Sequence, residues 1–279
     1  MASFPRSPLV LAFLLKHSDR RLLPFVKDLI YQVLKAVDRQ HMTQALLLLK
    51  VLLQFARSLS VWFEEDKEDV EVPVLDEATI PTLDDQEHIT AAEEKRIPTH
   101  VKMIEDILLR TKHLVCSPHL PIRLLLLDLI TKGLRALRHH EYQLLPMIHQ
   151  NWPGVLARFA DAEKTVALGA FEVILCMSEL SGTFVHCKVT EDFFPELTRY
   201  LRTQSSASER TGRVYEQSAN FRLQLALLER LPQLCEYIRL QDKSDVRKLC
   251  EMYCTSTDKA CRQPEKLRRA ALKALEELE

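Results

Sequence analysis

The clearest structural pattern in this chain lies in residues 141–178, which read EYQLLPMIHQNWPGVLARFADAEKTVALGAFEVILCMS. Apolar residues recur at helical spacing in its first half, at Leu144, Ile148 and Trp152, and an aspartate, Asp161, precedes the second half. The second half carries two apolar stripes, so that helix is apolar around most of its circumference and should lie between neighbours. The stretch therefore predicts two packed helices joined by a turn at Asp161.

Similar helix starts occur at regular intervals along the chain. One series begins near residues 99, 141, 191 and 243, and its partners begin near 121, 163, 215 and 263. Gaps of roughly 40 to 50 residues are typical of two-helix HEAT or armadillo units. Capping patterns at Thr190-Glu191-Asp192 and Ser244-Asp245 support two of these starts. We predict an all-α fold, an α-solenoid of HEAT-like helix pairs, with an irregular helical bundle as the alternative.

The composition agrees with a helical array and excludes several classes of enzyme. The 279 residues include 48 leucines and only five glycines, at positions 133, 154, 169, 182 and 212. Phosphate-binding loops need glycines two to five residues apart, so P-loop, Rossmann and kinase glycine motifs are absent. The dipeptides Asn-Gly and Asp-Gly, which favour tight hairpins, do not occur either.

Charge is separated along the chain although the formal net charge is −1. Residues 64–94 hold 13 acidic residues and one basic residue, so the other 248 residues carry a net charge of +11. The acidic stretch has too few large apolar residues to form a core. We predict N-proximal HEAT-like helices in residues 1–63, an acidic and largely disordered loop in 64–97, and C-terminal HEAT-like repeats in 98–279. Thr82, followed by Leu83-Asp84-Asp85, is a candidate phosphorylation site for an acidophilic kinase.

No residue pattern predicts catalysis or a metal site. His113, Cys116 and His119 are suitable metal ligands by type, but Ser117-Pro118 interrupts their helix and no fourth ligand follows. The spacings of Cys250, Cys254 and Cys261 are not those of zinc or redox motifs, and core cysteines are the simpler interpretation. The sequence His139-His140-Glu141 lacks the second histidine of a zincin and predicts a turn between helices. We therefore expect no enzyme activity, no cofactor and no metal.

The cysteines and the N-terminus bear on localisation. Seven cysteines, an odd number with several in apolar helical patterns, favour reduced thiols and hence the cytoplasm and nucleus. The apolar run from Leu9 to Leu15 is short for a signal peptide and lacks a small-residue cleavage site. No run of 18 apolar residues occurs, so we expect no membrane span. Because an end repeat exposes an apolar face, we also expect residues 9–15 to promote association.

Basic residues form small clusters outside the acidic stretch. They are Arg20/Arg21, Arg135/Arg138, Arg199/Arg202, Arg210/Arg213 and Lys266/Arg268/Arg269/Lys273. Few aromatic residues accompany them, which does not favour a single-stranded nucleic-acid platform. Solvated helix faces are the default interpretation, and a groove for an acidic or phosphorylated partner is the sharper one. Binding of nucleic acid or inositol phosphate through this surface stays open as an alternative.

Several motifs, in order along nearly the whole chain, resemble the C-terminal part of the Tel-two-interacting protein one (Tti-one) family. They are Arg21-Leu-Leu-Pro24-Phe-Val-Lys-Asp28 with Leu34 and Asp38, Ser60-Val-Trp62-Phe63, Pro98-Thr-His-Val101, Ile107-Leu108, Leu144 to Pro153, Ala170-Phe-Glu-Val173 and Phe194-Pro-Glu-Leu197. All are helix-packing patterns, so their order along the chain carries the resemblance.

The resemblance implies a non-enzymatic HEAT-repeat scaffold. Family members are the Tti-one subunit of the Triple-T (TTT) cochaperone complex, whose other subunits are Tel-two and Tti-two. With Hsp90 and the R2TP machinery, that complex matures and stabilises phosphatidylinositol-3-kinase-related kinases. Members are several times longer than this chain, so the likeness implies a C-terminal portion, and it carries over no catalytic residue. A different HEAT or armadillo adaptor, such as a transport or phosphatase scaffold, is the alternative within the same fold.

Overall fold

A computed structural model describes residues 7–18, 23–37, 42–63, 97–254 and 263–278. All regular structure in these ranges is helical, which confirms the all-α prediction. The α-helices are α1 (Ser7–Lys16), α2 (Leu23–Val37), α3 (Met42–Trp62), α4 (Thr99–Thr111), α5 (Leu120–Ala136), α6 (Glu141–Phe159), α7 (Lys164–Cys187), α8 (Phe194–Thr211), α9 (Ala219–Tyr237), α10 (Ser244–Cys254) and α11 (Glu265–Glu277).

The helices form two layers that follow the order of the chain. Helices α1, α3, α5, α7, α9 and α11 each pack on the next one, and we call this set the odd layer. The intervening helices cover it as an even layer, in which α2 packs on α3, α6 on α7 and α10 on α11. Each helix pair thus buries its apolar face against the pairs before and after it, as the predicted solenoid requires.

The helix pair predicted in residues 141–178 is confirmed as α6 and α7. Asp161 lies in the turn between them, and its carboxylate accepts a hydrogen bond from the Glu163 backbone N–H at 3.0 Å. The same carboxylate pairs with Arg158 at 3.0 Å and with Arg123 of α5 at 3.3 Å. The apolar stripes of α7 are buried between α5, α6 and α9. The turn aspartate therefore joins two consecutive repeats.

Other predicted helix starts agree with the structure to within a few residues. Pro98 and Pro264 directly precede α4 and α11, and Pro121 lies in the first turn of α5. Helix α10 begins at Ser244, whose backbone N–H donates to the Asp242 carboxylate at 2.9 Å and lowers the pKa of that group. Proline suits these positions because the first N–H groups of a helix have no intrahelical partner.

The prediction of a capped helix start at Thr190-Glu191-Asp192 is wrong. A π-helical segment, Lys188–Phe193, joins α7 to α8 without a break. The Thr190 hydroxyl donates to the His186 carbonyl at 2.9 Å instead of capping a new helix. Asp192 accepts a hydrogen bond from the Trp152 indole at 2.9 Å, so it ties the segment to α6. The helical conformation is interrupted earlier, within α7 at Ser181, where φ is −154° and ψ is 54°.

The acidic stretch falls largely outside the described residues, which resume at Ile97. The odd-layer helices before and after it pack directly on each other, since α3 contacts α5. The Phe63 ring, at the end of α3, stacks on His100 with a centroid distance of 3.7 Å. The three predicted domain ranges stay a prediction, as does Thr82, which also lies outside the described residues.

Two described helical stretches, Gln44–Trp62 and Lys164–Glu209, have the length and apolar content of a membrane span. About half of each is buried against neighbouring helices. Core helices of a repeat array have the same composition, because they pack on both sides. The expected absence of a membrane span stays a prediction.

Candidate protein-interaction surfaces

The structure describes most of the residues considered for metal binding or catalysis. His113 and Cys116 lie on an exposed 3₁₀ turn, Lys112–Cys116, and His119 immediately precedes α5. His139 and His140 occupy the turn between α5 and α6, as predicted. Among residues 7–18, 23–37, 42–63, 97–254 and 263–278, no group of three or more histidine, cysteine, aspartate or glutamate side chains is placed to hold a metal ion.

Of the described cysteines, Cys176, Cys235 and Cys250 are buried, whereas Cys116 and Cys187 are exposed. Cys235 and Cys250 are fully buried, and burial raises the pKa of Cys235 to about 11 and that of Cys250 to about 12. Cys254 is half-buried, and Cys261 lies outside the described residues. A raised pKa suppresses the thiolate, which is the reactive form of cysteine. Cys235 and Cys250 are therefore poorly suited to be nucleophiles.

A groove crosses three consecutive helices of the odd layer, and we call it the odd-layer groove. It lies over α5, α7 and α9 and has a volume of about 460 Å³. Arg135 of α5 pairs with Glu179 of α7 at 3.0 Å, and Arg57 of α3 pairs with Asp128 of α5 at 2.7 Å. These pairs are 39–49% exposed, so they contribute little to folding and remain accessible to a partner.

Further charged residues lie beside those ion pairs. Lys132, Glu172 and Arg230 line the odd-layer groove and have no ion-pair partner among the described residues. Cys176 also lines it; burial raises the pKa of its thiol, which lies 3.9 Å from the Thr131 carbonyl. The groove thus offers both signs of charge over a length of three repeats. Such a surface suits a polar protein segment better than a uniformly charged polymer.

A second groove separates α2 from α4. It has a volume of about 650 Å³ and combines an apolar floor, which includes Ile30 and Met103, with charged groups such as Lys27 and Asp106. The Arg110 guanidinium lies 5.4 Å from the centroid of the Tyr31 ring, and half of the Tyr31 surface is exposed. An exposed aromatic residue beside an arginine is a common anchor of protein interfaces.

In each basic cluster whose side chains the structure describes, at least one residue pairs with an acidic neighbour. Arg135 pairs with Glu179, Arg199 with Glu196 and Arg269 with Glu265. Lys266 and Lys273 lie 4.0 Å and 3.3 Å from Glu216 and Glu277. This pairing agrees with the default interpretation of these clusters as solvated helix faces. The clusters Arg20/Arg21 and Arg210/Arg213 lie at residues whose side chains the structure does not describe.

The sequence analysis allowed for a groove but located neither of these two. The ion pair between Arg57 and Asp128 joins residues 71 positions apart, and that between Arg135 and Glu179 joins residues 44 apart. No local pattern reveals which charges the repeats bring together. A repeat period alone could have pointed to them, because equivalent positions of successive odd-layer helices become neighbours.

A two-layer array of helix pairs with long, mixed-charge grooves defines the class of helical-repeat scaffold proteins. The family model for the TTI1 C-terminal TPR domain matches residues 38–279, and the chain belongs to this family. Successive odd-layer helices from α5 onward begin at residues 120, 164, 219 and 265. These intervals exceed the roughly 34 residues of a TPR unit and are closer to HEAT-sized repeats.

Two curated relatives match nearly the whole chain. TELO2-interacting protein 1 homolog of Mus musculus is 30% identical, and that of Homo sapiens is 28% identical, each over 97% of this chain. The chain spans 29% of the length of each relative. No solved structure matches it.

Proposed function

We propose that this chain is a non-enzymatic scaffold of a Triple-T (TTT) complex and binds Tel-two and Tti-two subunits. Through that complex it would act with Hsp90 and R2TP to mature phosphatidylinositol-3-kinase-related kinases, in the cytoplasm and nucleus. The observation that carries the proposal is the family match over residues 38–279. The printed name of the relatives, TELO2-interacting protein 1 homolog, supports it.

The architecture supports a binding role in physical terms. Stacked helix pairs hold each other in place because each pair buries the apolar face of its neighbour. They therefore present a long, preorganised surface that loses little conformational entropy when a partner binds. The odd-layer groove spans three repeats and presents Lys132 and Arg230, which form no ion pair with any other described residue. Affinity would come from a few well-buried anchors, with exposed charges setting orientation and partner choice.

The direct test is binding of the purified full chain to purified Tel-two and Tti-two proteins, followed by affinity capture from cells. We expect a stoichiometric complex with at least one of the two. Recovery of neither would refute the proposal. Recovery of transport receptors or phosphatase subunits instead would favour a different HEAT or armadillo adaptor. Salt-sensitive binding to RNA, DNA or inositol hexakisphosphate in the absence of protein partners would favour the remaining alternative.

A matched pair of charge reversals tests the odd-layer groove as the binding surface. Arg230→Glu changes an exposed residue of the groove, and Arg202→Glu changes an exposed residue of α8 in the even layer. We expect Arg230→Glu to weaken partner binding by about tenfold or more and Arg202→Glu to leave it nearly unchanged, as exposed substitutions rarely affect folding. Equal effects of the two reversals would place the binding surface elsewhere.

A further inference from the structure

A cleft with basic walls lies where α3 ends, α4 begins and α5 turns into α6, and we call it the basic cleft. Phe63, at the end of α3, stacks on His100 of α4, and the His100 ring lies edge-on to the His140 ring with a centroid distance of 5.9 Å. Arg138, in the turn after α5, donates from Nε to the His139 ring nitrogen at 2.9 Å. The described residues that line the basic cleft include five arginine or histidine side chains and no carboxylate. Its chemistry is therefore complementary to an acidic group.

Three consecutive acidic residues follow α3 at this cleft. They are Glu64, Glu65 and Asp66, and they come directly after Phe63 in the sequence. A chain of three residues reaches no further than about 11 Å when it is fully extended. Since Phe63 itself lines the basic cleft, chain length alone confines the three carboxylates to its neighbourhood.

The end of α3 is an unfavourable place for negative charge unless cations lie close by. The free carbonyl groups at the C-terminus of a helix carry a partial negative charge, which repels adjacent carboxylates. The last turn of α3 contains no basic residue that could offset this repulsion. The basic cleft brings arginine and histidine side chains from other helices to this end of α3.

We propose that the basic cleft binds the carboxylates of residues 64–66 of the same chain, with Arg138 as their main ion-pair partner. Arg138 is exposed, and a guanidinium can hold a carboxylate through two parallel hydrogen bonds. One exposed ion pair is weak, but the direct connection through Phe63 keeps the local concentration of carboxylate high. The contact holds the start of the acidic stretch beside the α5–α6 turn. Another acidic segment enters the cleft only by displacing it.

Zero-length carbodiimide cross-linking of the full chain tests this contact, because the reagent joins only a carboxylate and an amine that touch. Arg138→Lys keeps the positive charge and supplies the amine. We expect mass spectrometry to find a link between position 138 and one of residues 64–66, and high salt to abolish it. The matched control, Arg202→Lys at an exposed residue of α8, should form no link to residues 64–66. In a mixture of isotopically labelled and unlabelled protein, the link should join residues of one chain.

Proteolysis measures the same contact in a variant that removes it. Lys67 is the one basic residue in 64–94, and docking of the three residues before it should slow trypsin cleavage after Lys67. We expect Arg138→Glu to speed this cleavage by about threefold to fivefold, as for the loss of an exposed ion pair, with an unchanged helical circular dichroism spectrum. Arg202→Glu should leave the cleavage rate unchanged.

Several outcomes would overturn the proposal. Absence of the link from position 138 would do so, as would an equal link from position 202 or an unchanged cleavage rate in Arg138→Glu. Links from position 138 to residues 68–94 alone would assign the cleft to another part of the acidic stretch. Links between labelled and unlabelled chains would assign it to a second copy.

Discussion

At the scale of single residues, the most specific feature is a buried polar chain between α8, α9 and α10. Gln224 is fully buried; its amide donates to the Tyr253 hydroxyl at 2.7 Å, and that hydroxyl donates to the Leu201 carbonyl at 2.8 Å. The Tyr215 hydroxyl donates to the Gln224 side-chain oxygen at 2.6 Å. Because Tyr215, Gln224 and Tyr253 hydrogen-bond to one another, this polar chain favours one alignment of the three helices and leaves none of these side chains without a hydrogen bond.

Removal of one hydroxyl should break this alignment. Tyr253→Phe leaves the Leu201 carbonyl and the Gln224 amide without their partner, and we expect the free energy of unfolding to fall by about 1–3 kcal/mol. Urea denaturation monitored by circular dichroism measures the change. Tyr142→Phe is the control, since Tyr142 is 91% exposed, and it should change stability by less than about 0.5 kcal/mol. Equal losses in the two variants would contradict the role given to the buried chain.

The buried thiols make stability sensitive to alkaline pH. The raised pKa values of Cys235, about 11, and Cys250, about 12, mean that the folded chain keeps these protons while the unfolded chain loses them near the ordinary value of 9.0. Their contribution is therefore constant below about pH 8 and is lost as pH rises toward 11 to 12. In that window each thiol lowers the free energy of unfolding by up to about 1.4 kcal/mol per pH unit.

Urea titrations at pH 7 to 10.5 measure this dependence. We expect stability to fall steeply above pH 9 in the wild type and less steeply in Cys235→Ala/Cys250→Ala, whatever the stability of that variant at pH 7. Cys116→Ala, at an exposed residue, should keep the wild-type slope. A double variant with an unchanged slope would show that other groups dominate.

At the scale of elements, the bend in α7 brings its last turns against the end of α9. Gly182 follows the bend, and a Cβ there would lie 1.8 Å from the Tyr237 carbonyl oxygen. His186 lies one turn further along, with Nδ1 2.8 Å from the Ile238 carbonyl. Arg239, the second residue after α9, has a positive φ of 53°, and the Leu240 N–H donates to the Cys235 carbonyl at 2.9 Å. This closure is a Schellman motif, which ends α9 where α7 passes.

The close approach at Gly182 allows no side chain. Because the obstacle is backbone, Gly182→Ala must displace one helix, and we expect a loss of about 2–3 kcal/mol in the free energy of unfolding. Gly169→Ala is the matched control in the same helix: its Cβ would lie 3.2 Å from a flexible Leu127 methyl group. Alanine also favours helix over glycine by about 1 kcal/mol, so the control should be close to neutral. Chemical denaturation of both variants measures the difference, and equal losses would refute the argument.

These elements also show how far the sequence could predict the structure. Apolar periodicity, the repeat interval and the turn at Asp161 predicted most helices from residue 99 onward, because burial and backbone geometry act over a few residues. Thr190-Glu191-Asp192 failed as a cap because Asp192 bonds to Trp152 of α6, a contact that no local pattern contains. The groove pairs of Arg57 and Arg135 were missed for the same reason.

At the scale of the whole molecule, the array is held together by neighbour contacts rather than by one central core. The direct contact of α3 with α5 joins the helices before and after residues 64–96, and the stacked rings of Phe63 and His100 bring the flanking ends together. The odd layer should therefore be continuous whether or not the acidic stretch is present. If the acidic stretch is removed, the net charge of +11 on the other 248 residues is no longer balanced.

Replacement of residues 64–94 by a Gly/Ser linker of about eight residues separates these two roles. We expect the melting temperature to change by no more than about 2 °C, because the α3–α5 contact and the stacked rings remain, and a change of 1 kcal/mol corresponds to about 2–4 °C in a chain of this size. We also expect the variant to bind heparin at low salt, where the wild type does not, and to be released as salt rises.

The control is a variant in which the order of residues 64–94 is scrambled; it keeps the charge of −12 and should not bind heparin. A fall in melting temperature of 10 °C or more would show that the acidic stretch is part of the fold, and heparin binding equal to that of the wild type would show that it does not mask the basic helices.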